Sequence, residues 1–182
     1  MSLPNLITIA RILMVPLTIW FIVSDQYALA FLVFVAAGIS DGIDGFIAKR
    51  FGLRTELGAY LDPLADKLLL VSIYVALGIR DQMPSWLVIL VVSRDILIVG
   101  AVILSWVVKK PVELRPSFLS KANTVAQILL AVCVLGGLGL RLDASDYYVV
   151  GYVIVAALTV TSGTLYMLGW IHHMANGREV GS

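Results

Sequence analysis

The chain has 182 residues, 60% of them hydrophobic, with 13 basic and 12 acidic side chains and a formal net charge of +1. Its mean hydropathy is +0.96. So few charges cannot clothe a water-soluble domain of this size, which excludes a soluble enzyme and a disordered chain; a single cysteine, Cys133, excludes a disulfide scaffold.

Apolar runs of helical character are predicted over about Ile7–Val23, Tyr27–Ala48, Leu57–Ile79, Trp86–Val108, Lys121–Leu140 and Tyr147–Ile171. The fold class expected is therefore an all-α integral membrane protein of six transmembrane helices, with residues 1–182 forming one domain. The first run has no small-residue cleavage pattern after it and is read as a retained span. Polar breaks at Ser24 to Gln26, Lys49 to Glu56, Arg80 to Pro84, Lys109 to Pro116 and Arg141 to Asp146 separate the spans. The fourth break is expected to carry a short interfacial stretch, Val112 to Phe118, with its basic residues toward headgroups.

Lysine and arginine accumulate on one side. Arg11, Lys49, Arg50, Arg54, Lys109, Lys110, Arg115, Lys121 and Arg178 fall on the side of the termini, and only Arg80 and Arg141 on the other. The positive-inside tendency then places both termini in the cytoplasm, which for a bacterium means the inner membrane. Trp20, Trp86, Trp106 and Trp170 lie near span ends, where indole rings favour the headgroup layer. Cys133 is expected to be an inert packing residue, and His172 and His173 interfacial ones. No basic stripe with interleaved aromatics suggests nucleic acid as a partner.

Acidic residues inside spans are costly and mark function. Asp41 and Asp44 lie three apart at the end of the second span, Asp62 and Asp66 four apart in the third, and Asp95 follows Arg94 in the fourth. Spacings of three and four place each pair on one helical face. A short basic loop joins the second and third spans, so the pairs are expected to meet in a cavity open to the cytoplasm. Four carboxylates so close need cations, and an oxygen-only ligand set suits two Mg²⁺ or Mn²⁺ ions rather than zinc. Gly45, Ala48 and Gly58 share those faces, as close-packing residues or as room for a ligand. Intramembrane acids alone also fit a divalent-cation carrier, although the opposite loops, Arg80-Asp81 and Arg141 to Asp146, offer no matching intramembrane acids.

As written, Asp41-x-x-Asp44-Gly45-x-x-Ala48-Lys49, eight residues, then Gly58-x-x-x-Asp62-x-x-x-Asp66, resembles the signature of the CDP-alcohol phosphotransferases. Family sequences usually have Arg where Lys49 stands. The resemblance implies a six-helix membrane enzyme, commonly a homodimer, that moves a substituted phosphate from a CDP-linked donor to an alcohol and releases CMP. Carried over by position, Asp41, Asp44, Asp62 and Asp66 would bind two divalent ions. Gly45, Ala48, Lys49 and Gly58 would accommodate the cytidine diphosphate beside Asp41, Asp44 and Asp62, and Asp66 would also serve as general base.

Within the family, Leu3 to Arg11, Leu61 to Lys67, Ser93-Arg94-Asp95 and Leu114 to Gln127 are most similar to the mitochondrial-type cardiolipin synthases. That likeness implies CDP-diacylglycerol as donor and phosphatidylglycerol as acceptor. The alternative is a phosphatidylglycerophosphate synthase using glycerol 3-phosphate; such enzymes place a second Lys where Asn123 stands. Arg94, Arg115, Lys121 and Asn123 are the candidate acceptor-binding residues, with Thr124 and Gln127 beside them. For Arg94 an ion pair with Asp95 has equal standing.

Overall fold

A computed structural model describes residues 3–51, 56–108, 118–142 and 145–176, and the side chains of 12–40, 42, 67–105, 107–108, 118–142 and 147–174. Within them the chain forms six helices: α1 (Leu3–Val23), α2 (Tyr27–Phe51), α3 (Glu56–Ile79), α4 (Ser85–Val107), α5 (Phe118–Gly139) and α6 (Ser145–Asn176). They match the six predicted spans. At 1.5 Å per residue the shortest, of 21 residues, is about 32 Å long and the longest, of 32, about 48 Å, against a hydrocarbon core of about 30 Å. Among the described residues, Ser85–Ser105, Phe118–Gly139 and Tyr147–Met174 are each long and apolar enough to cross a membrane. The amphipathic stretch expected before Phe118 lies outside the described residues.

The outer surface, unlike that of a soluble protein, is rich in large apolar side chains, and several polar side chains lie inside. Leu13, Leu32, Ile89, Ile103, Val153 and Leu168 are exposed, while Thr18, Arg94, Asp95, Ser105, Asn123, Gln127, Thr159 and Ser162 are buried. Lipid solvates the first group and cannot hydrogen-bond the second, so most of these polar side chains find partners within the bundle. Several hydroxyls satisfy themselves on their own helix: Thr18 donates to the Met14 carbonyl at 2.7 Å and Ser105 to that of Ala101 at 2.7 Å. The Trp170 indole N–H donates in turn to Ser105 Oγ at 2.8 Å, fastening α6 to α4. Cys133, expected in the packing, lies on the exposed surface.

Among the described residues α1 pairs with α2, α3 with α4 and α5 with α6, and these hairpins close a ring in the order α1, α2, α5, α6, α4, α3, with α3 and α5 also meeting. Buried Leu69, Leu70, Ile73, Tyr74 and Leu77 make α3 an inner helix, and Leu130, Ala131, Val134 and Leu135 do the same for α5. Tyr74 Oη donates to the Gln127 carbonyl at 3.0 Å and locks the two together. The short loop between α2 and α3 predicts antiparallel neighbours, and both line one cavity. Among the described residues α1 packs against both, and α5 touches both from the other side. Gly139 lets α5 approach α2, since a Cβ there would sit 2.8 Å from the Ala28 backbone.

The three turns after α1, α3 and α5 are built alike. Gln26 N–H bonds the Phe21 carbonyl and Asp25 N–H that of Ile22; Gln82 and Asp81 repeat the pattern on Leu77 and Gly78, and Leu142 and Arg141 on Gly137 and Leu138. This is the Schellman closure of a helix end, and it puts Asp25, Asp81 and Arg141 at φ of 58°, 55° and 55°. Asp25 accepts from Tyr27 Oη at 2.8 Å and from the Arg80 guanidinium, which ties the first of these turns to the second. The Arg80 contact, with Tyr27 assisting, holds the Asp25 carboxyl below the usual carboxylate range.

A left-handed conformation costs a side chain such as Arg about 1–2 kcal/mol relative to Gly, partly offset by the extra freedom of Gly in the unfolded chain. Arg141→Gly is therefore expected to raise the thermal unfolding midpoint of the detergent-solubilised protein, by the equivalent of about 0.5–1 kcal/mol. Asp25→Gly, which also removes the Arg80 contact, should gain less.

Candidate active site

The aspartate-bearing segments are helical. α2 runs unbroken through Asp41 and Asp44 to Phe51, and α3 begins at Glu56, ahead of Asp62 and Asp66. Backbone helicity preserves the spacings of three and four, so each pair occupies one side of its helix. The side chains of Asp41, Asp44, Gly45, Ala48, Lys49, Gly58, Asp62 and Asp66, and all of Arg115, lie outside the described residues. An oxygen-only donor set on two continuous helices fits hard divalent cations.

Description of the side chains resumes at Lys67, directly after Asp66. Lys67 Nζ lies 3.2 Å from Asp95 Oδ1, and Arg94 Nη1 lies 2.7 Å from the same oxygen. Arg94 Nη2 donates to Ser120 Oγ at 2.8 Å and to Ser162 Oγ at 2.7 Å. One carboxylate and one guanidinium on α4 thus gather α3, α5 and α6. Arg94 is 6% exposed, whereas Lys67 reaches the edge of the bundle with its side chain 41% exposed. Gly163 leaves room for the Arg94 stem, since a Cβ there would lie 3.3 Å from Arg94 Cγ. Of the two readings open for Arg94, the structure displays the ion pair with Asp95.

The acceptor candidates on α5 divide between two faces. Asn123 is fully buried and accepts from Thr159 Oγ1 of α6 at 3.0 Å, while Lys121 and Thr124 are exposed. Gln127, one turn beyond Asn123, is buried as well. The helical period separates them, because residues four apart share a face and residues two apart do not. Ser120, Thr159 and Ser162 were not anticipated as part of the site. Their signal in the sequence is faint: small hydroxyls that recur in apolar spans at one-turn spacing.

A cavity of about 580 Å³ opens between α2, α3 and α5. Phe34, Ala37, Gly38, Leu69, Leu70 and Val132 contribute apolar wall, and Lys67, Asp95, Thr124 and Gln127 its polar part. Gly38 precedes Asp41 by less than one helical turn and Lys67 adjoins Asp66, so the cavity lies next to both aspartate segments. Its volume is that of a small-molecule or lipid-segment site.

With this geometry in view, comparison with known proteins identifies the family. The description of CDP-alcohol phosphatidyltransferases matches residues 1–163. The chain belongs to that family. Members generally depend on divalent cations. A cardiolipin synthase (CMP-forming) fused to a mitochondrial hydrolase in Schizosaccharomyces pombe is 35% identical over 182 residues, covering 92% of this chain and 31% of that protein. The human cardiolipin synthase (CMP-forming) is 31% identical over 181 residues, 91% of this chain and 60% of the relative. A CDP-diacylglycerol–glycerol-3-phosphate 3-phosphatidyltransferase of Rickettsia felis is 35% identical over 172 residues, 91% and 93% of the two. The chain thus spans less than two thirds of the first two relatives.

Removing one partner from a buried ion pair strands the other charge and costs about 3–5 kcal/mol, whereas replacing both with apolar groups of similar size often costs little. Asp95→Ala should lower the unfolding midpoint strongly, by the equivalent of about 3–5 kcal/mol. The double variant Arg94→Met, Asp95→Leu should lose much less, because Lys67 is exposed enough to be rehydrated.

Proposed function

We propose that the chain is a membrane phosphatidyltransferase that makes cardiolipin, joining the phosphatidyl group of CDP-diacylglycerol to a glycerol hydroxyl of phosphatidylglycerol with release of CMP. The observation that supports the choice of acceptor is the scarcity of free cations beside the cavity among the described residues. Lys67 and Arg94 both engage one Asp95 oxygen, and Asn123, where glycerol-3-phosphate enzymes place a lysine, is neutral, buried and bonded to Thr159. A dianionic glycerol 3-phosphate wants more positive charge than this, while a monoanionic phosphodiester lipid wants less and brings hydrocarbon that suits the apolar wall. Family membership supports a transferase over the divalent-cation carrier.

In this reading Asp41, Asp44, Asp62 and Asp66 hold two divalent ions, Mg²⁺ or Mn²⁺, whose chemistry when bound is to neutralise the diphosphate and its leaving oxygen. Gly45, Ala48 and Gly58 leave space for the cytidine diphosphate, and Lys49 faces its charge. Asp66 takes the proton of the acceptor hydroxyl. The hydroxyl oxygen forms a bond to the phosphorus that carries diacylglycerol, the bond from that phosphorus to the bridging oxygen breaks, and CMP leaves with that oxygen. Arg94, Arg115, Lys121 and Asn123 complete the acceptor side, Arg94 acting through its hold on Asp95, Ser120 and Ser162. Residues 1–182 act as a single domain, in a homodimer, with the termini and active site on the cytoplasmic side of the membrane, as the basic loops favour.

Purified protein given CDP-diacylglycerol with either phosphatidylglycerol or glycerol 3-phosphate, and its lipid product weighed by mass spectrometry, tests this directly. Cardiolipin should form at least about tenfold faster than phosphatidylglycerophosphate, the factor that about 1.4 kcal/mol of acceptor discrimination gives, and EDTA should stop both. Phosphatidylglycerophosphate as the dominant product would assign the other acceptor.

A further inference from the structure

Gln127 differs from the other buried polar residues around the site. It is 2% exposed. Its backbone carbonyl is taken by Tyr74 Oη, yet its side-chain amide nitrogen is buried with no hydrogen-bond partner. Native interiors retain few such orphans, and each calls for an explanation. The Asn123 amide nitrogen and Arg94 Nε are also unpartnered, but Asn123 is turned to Thr159 and neither residue lines the α2–α3–α5 cavity. Gln127 does line it.

The surroundings define what could accept that hydrogen bond. Near Gln127 the wall is hydrocarbon, from Leu70, Ile128 and Val132 with Phe34 across the cavity, and the charges that border it are the mutually paired Lys67 and Asp95. An anionic oxygen would be repelled by Asp95 and desolvated by the apolar wall, whereas a neutral amide donor in such a place suits a neutral acceptor oxygen joined to hydrocarbon. In a glycerolipid that group is the acyl-ester carbonyl. We infer that Gln127 donates its side-chain amide hydrogen to an acyl-ester carbonyl of a glycerolipid substrate whose acyl chain occupies the α2–α3–α5 cavity. The bond sets the depth at which the glycerol backbone stops, beside Lys67 and hence beside Asp66. This rests on the phosphatidyltransferase reading, in which the lipid is either CDP-diacylglycerol or the phosphatidylglycerol acceptor.

Ether-linked analogues, which keep the chains and headgroup but lack the carbonyl, make the test specific. Binding of detergent-solubilised protein is measured for the ester and ether forms of CDP-diacylglycerol, and separately for those of phosphatidylglycerol. One pair should favour the ester by about tenfold, because the ether leaves the buried donor unpaired, and that pair identifies the lipid concerned. In Gln127→Met the preference should fall to about one with ether binding unchanged; Gln127→Leu is a second variant of different shape. Both leave the Tyr74 bond to the backbone carbonyl intact. Equal binding of ester and ether by the unaltered protein for both lipids, or a preference that survives in the variants, would overturn the inference while leaving the phosphatidyltransferase reading standing. Failure to bind any of the four lipids would overturn that reading and the inference with it.

Discussion

An ionised side chain held among apolar helices in lipid has no water to fall back on, and the arrangement of this bundle follows from how one such charge is met. Asp95 receives Arg94 and Lys67 on a single carboxylate oxygen, and Arg94 extends the network to Ser120 and Ser162. Four helices are fixed by this chain of contacts, and the Tyr74 bond to Gln127 adds a second tie between α3 and α5. The helix so restrained is α3, which carries Asp62 and Asp66. The interior network places that segment, while the exposed leucines, isoleucines and valines of the outer surface suit lipid contact without directing it.

Much of this was legible in the sequence because the bilayer imposes a coarse and periodic requirement. Apolar runs of about 20 residues gave the helices nearly to their ends, from Tyr27 at the start of α2 to Ile79 at the end of α3. The aspartates announced themselves by being out of place, and their spacing alone put each pair on one face. The assembly of the bundle was less visible. A short loop makes α2 and α3 neighbours, but loop length does not reveal that α1 packs against both. Which of Lys121, Asn123, Thr124 and Gln127 turn inward depends on the rotation of α5, fixed by Tyr74 and Thr159, residues 53 and 36 positions distant from their partners. Cys133 faces outward for the same reason: an apolar span carries little internal signal for its own rotation.

The cavity connects this architecture to chemistry. Its apolar wall and sparse polar part lie next to the two aspartate-bearing segments, so hydrocarbon and phosphate portions of one lipid can be held by neighbouring parts of the same helices. Such a division suits a reaction in which both substrates are lipids. It also accounts for the way the nearby cations are used. Lys67 and Arg94 are committed to Asp95, so in the proposed reaction the diphosphate falls to Lys49 and to the aspartate cluster with its divalent ions.

The central claim is that Asp66 both holds an ion and accepts the acceptor's proton, and comparison of Asp66→Asn with Asp44→Asn tests it most directly. Metal-dependent binding of CDP-diacylglycerol and turnover are measured side by side. In Asp66→Asn the amide oxygen can still face a cation but cannot take a proton, so donor binding should largely survive while turnover falls by about 10²- to 10⁴-fold. Asp44→Asn should weaken binding and turnover together. Near-normal turnover in Asp66→Asn would contradict the account.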